Sequence, residues 1–346
     1  MEQYRLGKTG LMASELCFGC LPIQRTDKNE ATRILRKACD NGINLFDTAR
    51  GYTDSEEKVG AALSGVRKDI ILASKVTGAV NGRQVTEYID DSLRTLKTDY
   101  IDVMQLHNPK PVMPQKDGDD GMYDAMLKAK EQGKIRWIGI STHSVDMAEE
   151  ILDSDLYDTL QFPFSYLATP REIAIMKRCA EKDIGFFAMK ALAGGVLNNP
   201  AAVYWFCRQH KETVRPLLGI QHMHELDDFL SLVKHPPREE EILPVIEKDQ
   251  KELAGEFCRG CGYCLPCPAN IDIPILCRMY QLLRRAPLDV YLDQPWYDKM
   301  QQTKNCTGCG KCNERCPYDL NPQHRLPEQY DDFMQMHTAY FADKNK

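Results

Sequence analysis

No apolar run in this 346-residue sequence approaches the roughly 18 residues that a membrane-spanning helix requires. The opening Met1-Glu2-Gln3-Tyr4-Arg5 lacks the apolar segment of a signal peptide, so a cytoplasmic protein with no membrane partner is expected. Charge of one sign never accumulates beyond the short Arg238-Glu239-Glu240-Glu241 patch. With a net charge of −6 and no basic stripe, nucleic acid is not an expected partner. No G-x-G-x-x-G follows the first strand-like segment, which counts against a doubly wound dinucleotide-binding sheet. What remains is ordinary soluble composition, 43% apolar and 27% charged, in a chain long enough for one large domain and one small one.

The order of apolar patterns defines the large domain. A hairpin is expected around Gly7-Lys8-Thr9-Gly10. After it, strand-like segments end near Gly19, Phe46, Ser74, Leu106, Ile140, Phe162, Met189 and Gly219, and each is followed by a helical pattern. The second helix is read over Ser55–Leu63, with Ser55 as its N-cap. Eight strand–helix units in about 235 residues predict an α/β fold of the (β/α)8 TIM-barrel type, with a doubly wound sheet as the rival.

In such a barrel the chemistry sits where the strands end. Strand two delivers Asp47 and, five residues on, Tyr52; strand three delivers Lys75, strand four His107, strand five Ser141, strand six Gln161 and strand seven Lys190. Barrel interiors are mostly branched and apolar, so six strands presenting polar groups at one rim mark a site. The set suits proton-coupled hydride transfer to a carbonyl. A tyrosine, with a pKa near ~10, is a reluctant acid on its own. A nearby lysine stabilises its phenolate, and a buried lysine needs a counter-ion, which Asp47 can supply. A neutral His107 can orient the carbonyl oxygen.

The segments Phe46-Asp47-Thr48-Ala49-x-Gly51-Tyr52, Ser74-Lys75, Leu106-His107 and Gly139-Ile140-Ser141 resemble the aldo-keto reductases. Leu6-Gly7-Lys8-Thr9-Gly10-Leu11 is similar to that family's barrel-plugging hairpin. The resemblance implies a barrel that binds NADP or NAD without a Rossmann fold, with Tyr52 as general acid, Lys75 and Asp47 tuning it, and His107 orienting the substrate. It implies that Ser141 and Gln161 hold the nicotinamide carboxamide, with Met189, Lys190, Gly219 and Glu225 as further cofactor contacts. Met189 stands where the family often stacks an aromatic ring. The stretch Leu218–Glu225 has no Lys or Arg, and Glu225 falls near the family's 2′-phosphate arginine, which leans toward NAD.

Nine of the 14 cysteines fall between Cys258 and Cys316. In a reducing compartment such density signals metal binding rather than disulfides. Cys258-x2-Cys261-x2-Cys264-x2-Cys267-Pro and Cys306-x2-Cys309-x2-Cys312-x3-Cys316-Pro follow the ferredoxin pattern, the second run residue for residue. Fourth-ligand exchange between runs assigns one [4Fe–4S] cluster to Cys258, Cys261, Cys264 and Cys316, and the other to Cys306, Cys309, Cys312 and Cys267. Zinc held by paired C-x2-C units is the rival. The wide gap between the runs resembles alpha-helical ferredoxin modules, and barrel plus tail resembles the ferredoxin-containing branch of the aldo-keto reductases.

The sequence therefore reads as a barrel over residues 1–237 and an iron–sulfur domain with linker and tail over 238–346. The expected substrate is a small carbonyl or alcohol. The clusters leave three roles open: electron exchange with a substrate or a one-electron redox partner, redox sensing, or structural support. An electron-transfer protein with an inactive barrel is the alternative. Loops at 21–27, 77–83 and 108–121 are expected to shape the pocket, the last (Pro109, Pro111, Pro114, Gly118-Asp119-Asp120-Gly121) as a lid.

Overall fold

The structure, a computed structural model, describes residues 1–109, 121–253, 257–285, 291–316, 318 and 320–344. Residues 110–120 of the expected lid and Pro317 lie outside the described residues. Two compact units are present: Met1–Leu192 with Asn199–Glu247, and Ala193–Asn198 with Lys248–Lys346. No helix among the described residues is long and apolar enough to cross a membrane.

The first unit is a closed barrel of eight parallel strands: β3 (Cys17–Gly19), β4 (Leu45–Asp47), β5 (Ile71–Val76), β6 (Ile101–His107), β7 (Ile135–Ser141), β8 (Thr159–Pro163), β9 (Gly185–Met189) and β10 (Val214–Gly219), the last pairing back onto β3. Around it run α1 (Lys28–Asp40), α2 (Ser55–Leu63), α3 (Gly82–Leu96), α4 (Met122–Glu131), α5 (Val145–Ser154), α6 (Pro170–Glu181), α7 (Pro200–Gln209) and α8 (Met223–Lys234). The expected (β/α)8 fold is the one observed. A hairpin of β1 (Gln3–Arg5) and β2 (Met12–Ser14) precedes it. Leu6 in that hairpin is fully buried among Cys17, Leu45, Ile71, Ala73, Val103, Phe187 and Leu217, so it plugs one end of the barrel interior. Gly7 makes the plug possible: its φ is +48°, and a Cβ there would lie 2.3 Å from Gly185 N.

Two local features differ from the sequence reading. α1 and α3 start earlier than their apolar periodicity, because caps set the start: the Asp27 carboxylate accepts from Asn29 N and Glu30 N, and Asn81 accepts from Gln84 N at 2.9 Å. The N-cap of α2 is Asp54, not Ser55. The Ser55 hydroxyl turns inward instead, 2.9 Å from Thr48 Oγ1 and 2.9 Å from Cys20 O, which pins α2 to the ends of β3 and β4.

The second unit is helical. It contains α10 (Ile273–Leu276), α11 (Met279–Arg285), α12 (Gln294–Gln301), α13 (Lys311–Glu314) and α14 (Pro322–Lys344), and α9 (Glu239–Glu252) carries the division between the units. Ile271, Ile273, Leu276, Met279, Leu282, Leu283, Leu292, Met300, Leu326 and Phe333 form its core, and the thiols of Cys264, Cys277 and Cys312 are buried with them.

Gly60 offers a test of the barrel's packing. In most helices Gly→Ala stabilises by about 1 kcal/mol. Here a Cβ at 60 would lie 2.5 Å from Thr95 O and 2.8 Å from Leu96 Cα, both backbone atoms of the neighbouring α3 segment. Overpacking at a fixed backbone costs roughly 1–3 kcal/mol. Gly60→Ala is therefore expected to lower the urea midpoint; a raised midpoint would show that α2 is free to move off α3.

Candidate active site and candidate metal centre

Strand ends set the geometry of the rim. Asp47 closes β4, His107 closes β6, Ser141 closes β7, Met189 closes β9 and Gly219 closes β10. Lys75 lies within β5, all of whose residues are buried. Across strands, Lys75 registers with Gln105, His107 with Ser141, and Ser141 with Gln161.

Asp47 and Lys75 form the centre. Lys75 is 0% exposed and Asp47 3%. The ammonium donates to Asp47 Oδ1 at 2.8 Å, Asp47 Oδ2 at 2.7 Å and Thr48 O at 2.7 Å, which uses all three of its N–H groups. Asp47 also accepts from Gln105 Nε2 at 3.2 Å and Gln161 Nε2 at 3.4 Å, and Gln105 Nε2 donates to Gln161 Oε1 at 2.8 Å. Each carboxylate oxygen thus accepts twice. Burial lifts the Asp47 carboxyl above the usual range, while Lys75 and the two amides oppose the lift.

Tyr52 stands over this pair. Its ring centroid is 5.0 Å from Lys75 Nζ and 5.8 Å from the His107 ring, edge to face. Its hydroxyl has no hydrogen-bond partner among the described residues. Burial raises the phenol above its ordinary value of 10, and the nearby Asp47 carboxylate and Cys20 thiol add to the rise. The direction is opposite to the lowering expected from a neighbouring lysine. The reason is burial, the largest cause of the rise; the lysine's three N–H groups are spent on Asp47 and Thr48 and none is given to the phenol.

His107 is neutral. Burial and the Lys75 charge bring its pKa down from 6.5 to about 3. Its Nδ1 is 2.7 Å from Thr77 Oγ1. Thr77 opens the 77–83 loop expected to shape the pocket and Gln105 lies at the end of strand four, but the sequence alone assigns neither a role. Gln105 is two residues before His107 on one strand face, and period-two spacing would have found it.

The expected cofactor contacts divide in two. Ser141 and Gln161 are buried at the rim, 2% exposed each, and Ser141 Oγ accepts from Asn108 N at 3.1 Å. Met189 packs partly buried on the barrel core, Lys190 follows it at φ +57°, and Gly219 is exposed. Glu225 is engaged locally: its carboxylate accepts from Gln221 N at 2.7 Å and His222 N at 2.8 Å, the N-terminal cap of α8. A negative group already covers the N–H groups there.

In the second unit, Cys267, Cys306, Cys309 and Cys312 line one cavity together with Cys264, Pro268, Ile271, Ile273 and Leu326. Cys258 and Cys261 lie close enough to Cys264, as does Cys312, to help burial push its thiol up to about 12. Arg315, beside Cys316, donates to Pro266 O at 3.2 Å, beside Cys267. Gly260 N donates to Cys258 Sγ at 3.4 Å. Gly260, Gly262, Gly308 and Gly310 all have positive φ, from +63° to +86°, so both runs read Cys-x-Gly-Cys-Gly-x-Cys with the same left-handed turns. This glycine repeat was legible in the sequence but not read there. Among the described residues no three Cys, His, Asp or Glu side chains close on a single ion-sized point. An all-thiol set around a cavity fits a polynuclear cluster.

A closed parallel barrel with an ion pair, a tyrosine and a neutral histidine at the strand ends defines a barrel enzyme. Residues 15–203 match the aldo/keto reductase family, more than half of the chain, and residues 257–321 match a 4Fe-4S dicluster domain. The chain belongs to the aldo/keto reductase family and is an oxidoreductase with a C-terminal 4Fe-4S domain. It is 30% identical over 215 residues to the aldo-keto reductase YhdN of Bacillus subtilis, a match covering 57% of this chain and 64% of that protein. It is 29% identical over 231 residues to the L-galactose dehydrogenase of Arabidopsis thaliana, covering 59% and 70%. The match thus spans less than two thirds of the length of YhdN. Among solved structures, the holo form of aldo-keto reductase AKR11C1 from Bacillus halodurans is similar with a TM-score of 0.63 and 26% identity, over 74% of this chain and 98% of that one. An NADPH complex of an aldo-keto reductase from Klebsiella pneumoniae shares the fold, with a TM-score of 0.61 at 21% identity over 72% of this chain and 95% of that one.

The His107 environment makes a pH prediction. Between about pH 6.5 and 3 the unfolded chain takes up a proton that the folded chain refuses, so stability falls as pH drops through that window. His107→Gln removes this titration. The fall in melting temperature from pH 7 to pH 5 is expected to be smaller in the variant than in the native protein; equal falls would refute the neutral buried imidazole.

Proposed function

We propose that this protein is an NAD(P)-dependent oxidoreductase that interconverts a small carbonyl and its alcohol, with Tyr52 as general acid and base. The Asp47–Lys75–Tyr52–His107 constellation carries the reading. Relatives named as reductases and as a dehydrogenase support a carbonyl–alcohol pair.

When bound, the nicotinamide supplies or accepts the hydride. Ser141 and Gln161 fit its carboxamide, because a hydroxyl and an amide at a buried rim match an amide's donor and acceptor. Met189, Lys190 and Gly219 complete the proposed cofactor contacts. Glu225 capping the start of α8, with no Lys or Arg from Leu218 to Glu225, supports NAD over NADP, since a phosphate would meet a carboxylate where it seeks N–H groups.

The chain's own residues then manage one proton. As hydride reaches the carbonyl carbon, negative charge grows on its oxygen. His107 Nε2–H hydrogen-bonds that oxygen and orients it. Tyr52 donates its hydroxyl proton to it. The phenolate left behind is stabilised by the Lys75 field from 5.0 Å below the ring. Asp47 holds Lys75 still, so the field costs no reorganisation. Alcohol oxidation is the reverse.

We further propose residues 1–237 as the catalytic domain and residues 238–346 as a ferredoxin-like domain with two [4Fe–4S] clusters. Cys258, Cys261, Cys264 and Cys316 hold one, and Cys306, Cys309, Cys312 and Cys267 the other. When bound, these groups exchange single electrons, and a one-electron partner is proposed for them.

Tyr52→Phe tests the reaction. Removing the acid is expected to lower the rate of carbonyl reduction roughly 10²–10⁴-fold, with NADH or NADPH binding intact; a variant that reduces carbonyls at the native rate would sink the reading. Cys267→Ser tests the clusters. Anaerobic iron and sulfide assays should show about half of the native content, and EPR the loss of one signal, if Cys267 serves the second run. Undiminished iron would refute this ligand assignment.

A further inference from the structure

The proposed chemistry requires His107 to donate from Nε2. A neutral imidazole carries one N–H, so Nδ1 must then be an acceptor. The group against Nδ1 decides this, and it is Thr77, the residue after β5, with Oγ1 at 2.7 Å.

Two arrangements fit that distance. In one, the Thr77 hydroxyl donates to Nδ1 and the ring keeps its proton on Nε2. In the other, Nδ1–H donates to Thr77 Oγ1, and the hydroxyl proton has no acceptor among the described residues. The second also turns a lone pair on Nε2 toward any carbonyl oxygen. Each arrangement leaves one proton without an acceptor among the described residues: in the second it is the hydroxyl of the half-buried Thr77, in the first it is Nε2–H, the donor that the proposed reaction calls for.

A second observation points to the same residue. A Cβ at Gly51 would lie 2.7 Å from Thr77 Cγ2, 2.9 Å from its Oγ1 and 3.0 Å from its Cβ. The missing side chain at 51 is what leaves room for Thr77. Gly51 immediately precedes Tyr52, whose ring meets the His107 ring edge to face. The loop that presents the acid therefore also seats the group that orders the histidine.

We propose that Thr77 is a positioning residue that holds His107 in its Nε2–H tautomer, seated by the absence of a side chain at Gly51. The proposal rests on the assignment of Tyr52 and His107 given above, but its first test does not need the reaction. In the unliganded full-length protein labelled with ¹⁵N-histidine, the His107 signals, identified by their loss in His107→Gln, should show a protonated Nε2 and an unprotonated, hydrogen-bonded Nδ1. Thr77→Val should mix or invert the two, Thr77→Ser should restore the native pattern, and Gly51→Ala should give the Thr77→Val pattern. In turnover, Thr77→Val should lose roughly 10- to 100-fold in kcat, with KM for the reduced nicotinamide unchanged and with rescue by Thr77→Ser.

A native protein with Nδ1 protonated overturns the proposal, as does a Thr77→Val protein with native tautomer and native kcat. A kcat loss without a tautomer change also overturns it, since that is what simple loosening would give. A fully active Tyr52→Phe protein would refute the function instead, and the nitrogen spectra would still judge Thr77.

Discussion

The ion pair of Lys75 and Asp47 is the constraint on which the rest of the site depends. Two opposite charges buried together are not a source of stability by themselves, because desolvation offsets their attraction. They persist when every lone pair and every N–H is matched. Here the carboxylate accepts four times and the ammonium donates three times, with Thr48, Gln105 and Gln161 completing the count. Removing one partner of such a pair costs roughly 3–5 kcal/mol, because it strands the other charge. The matching groups come from β4, β5, β6 and β8, so the barrel must close in the right register before the pair can form.

Two consequences follow from that closed shell. A lysine with no spare donor cannot swing to the tyrosine; it acts as a fixed positive field under the ring. The same field, added to burial, keeps His107 uncharged, so in the proposed reaction the substrate meets a neutral donor rather than a cation. In that proposal one charge helps burial to keep one neighbour neutral and offsets the phenolate of the other. This is preorganisation in the strict sense, since nothing must move when charge develops.

The residues that sequence reasoning reached are those whose meaning survives in one dimension. Asp47, Tyr52, Lys75 and His107 were found because they recur in order at strand ends, and the cysteine runs because their spacing is itself the signal. Thr77, Gln105 and the seat left by Gly51 have no role legible in the sequence, because each acquires it only from a neighbour on another strand or loop. Glu225 shows the same limit from the other side. Its charge was legible, but its use as the cap of α8 depends on the local chain path. Ser55 was given a cap's role by residue type, yet the chain put Asp54 there and turned the serine inward.

The cysteine unit answers a different physical problem. A small helical unit has little apolar area to bury, and here Cys264 and Cys312 are themselves members of its core. Thiols pushed up in pKa by burial, as Cys264 is, favour the protonated form; a cluster held at the proposed ligands would remove those protons and add its bond energy to folding. The glycines with positive φ on each run turn the backbone so that N–H groups can face sulfur, as Gly260 N does toward Cys258. Cys306 and Cys309, by contrast, are exposed. Under the proposed ligand assignment each cluster would be rooted in the core through one thiol, Cys264 or Cys312, and the second would reach solvent through Cys306 and Cys309. Structural support and electron exchange are therefore compatible proposals for these cysteines, since buried and exposed thiols occur in the same runs.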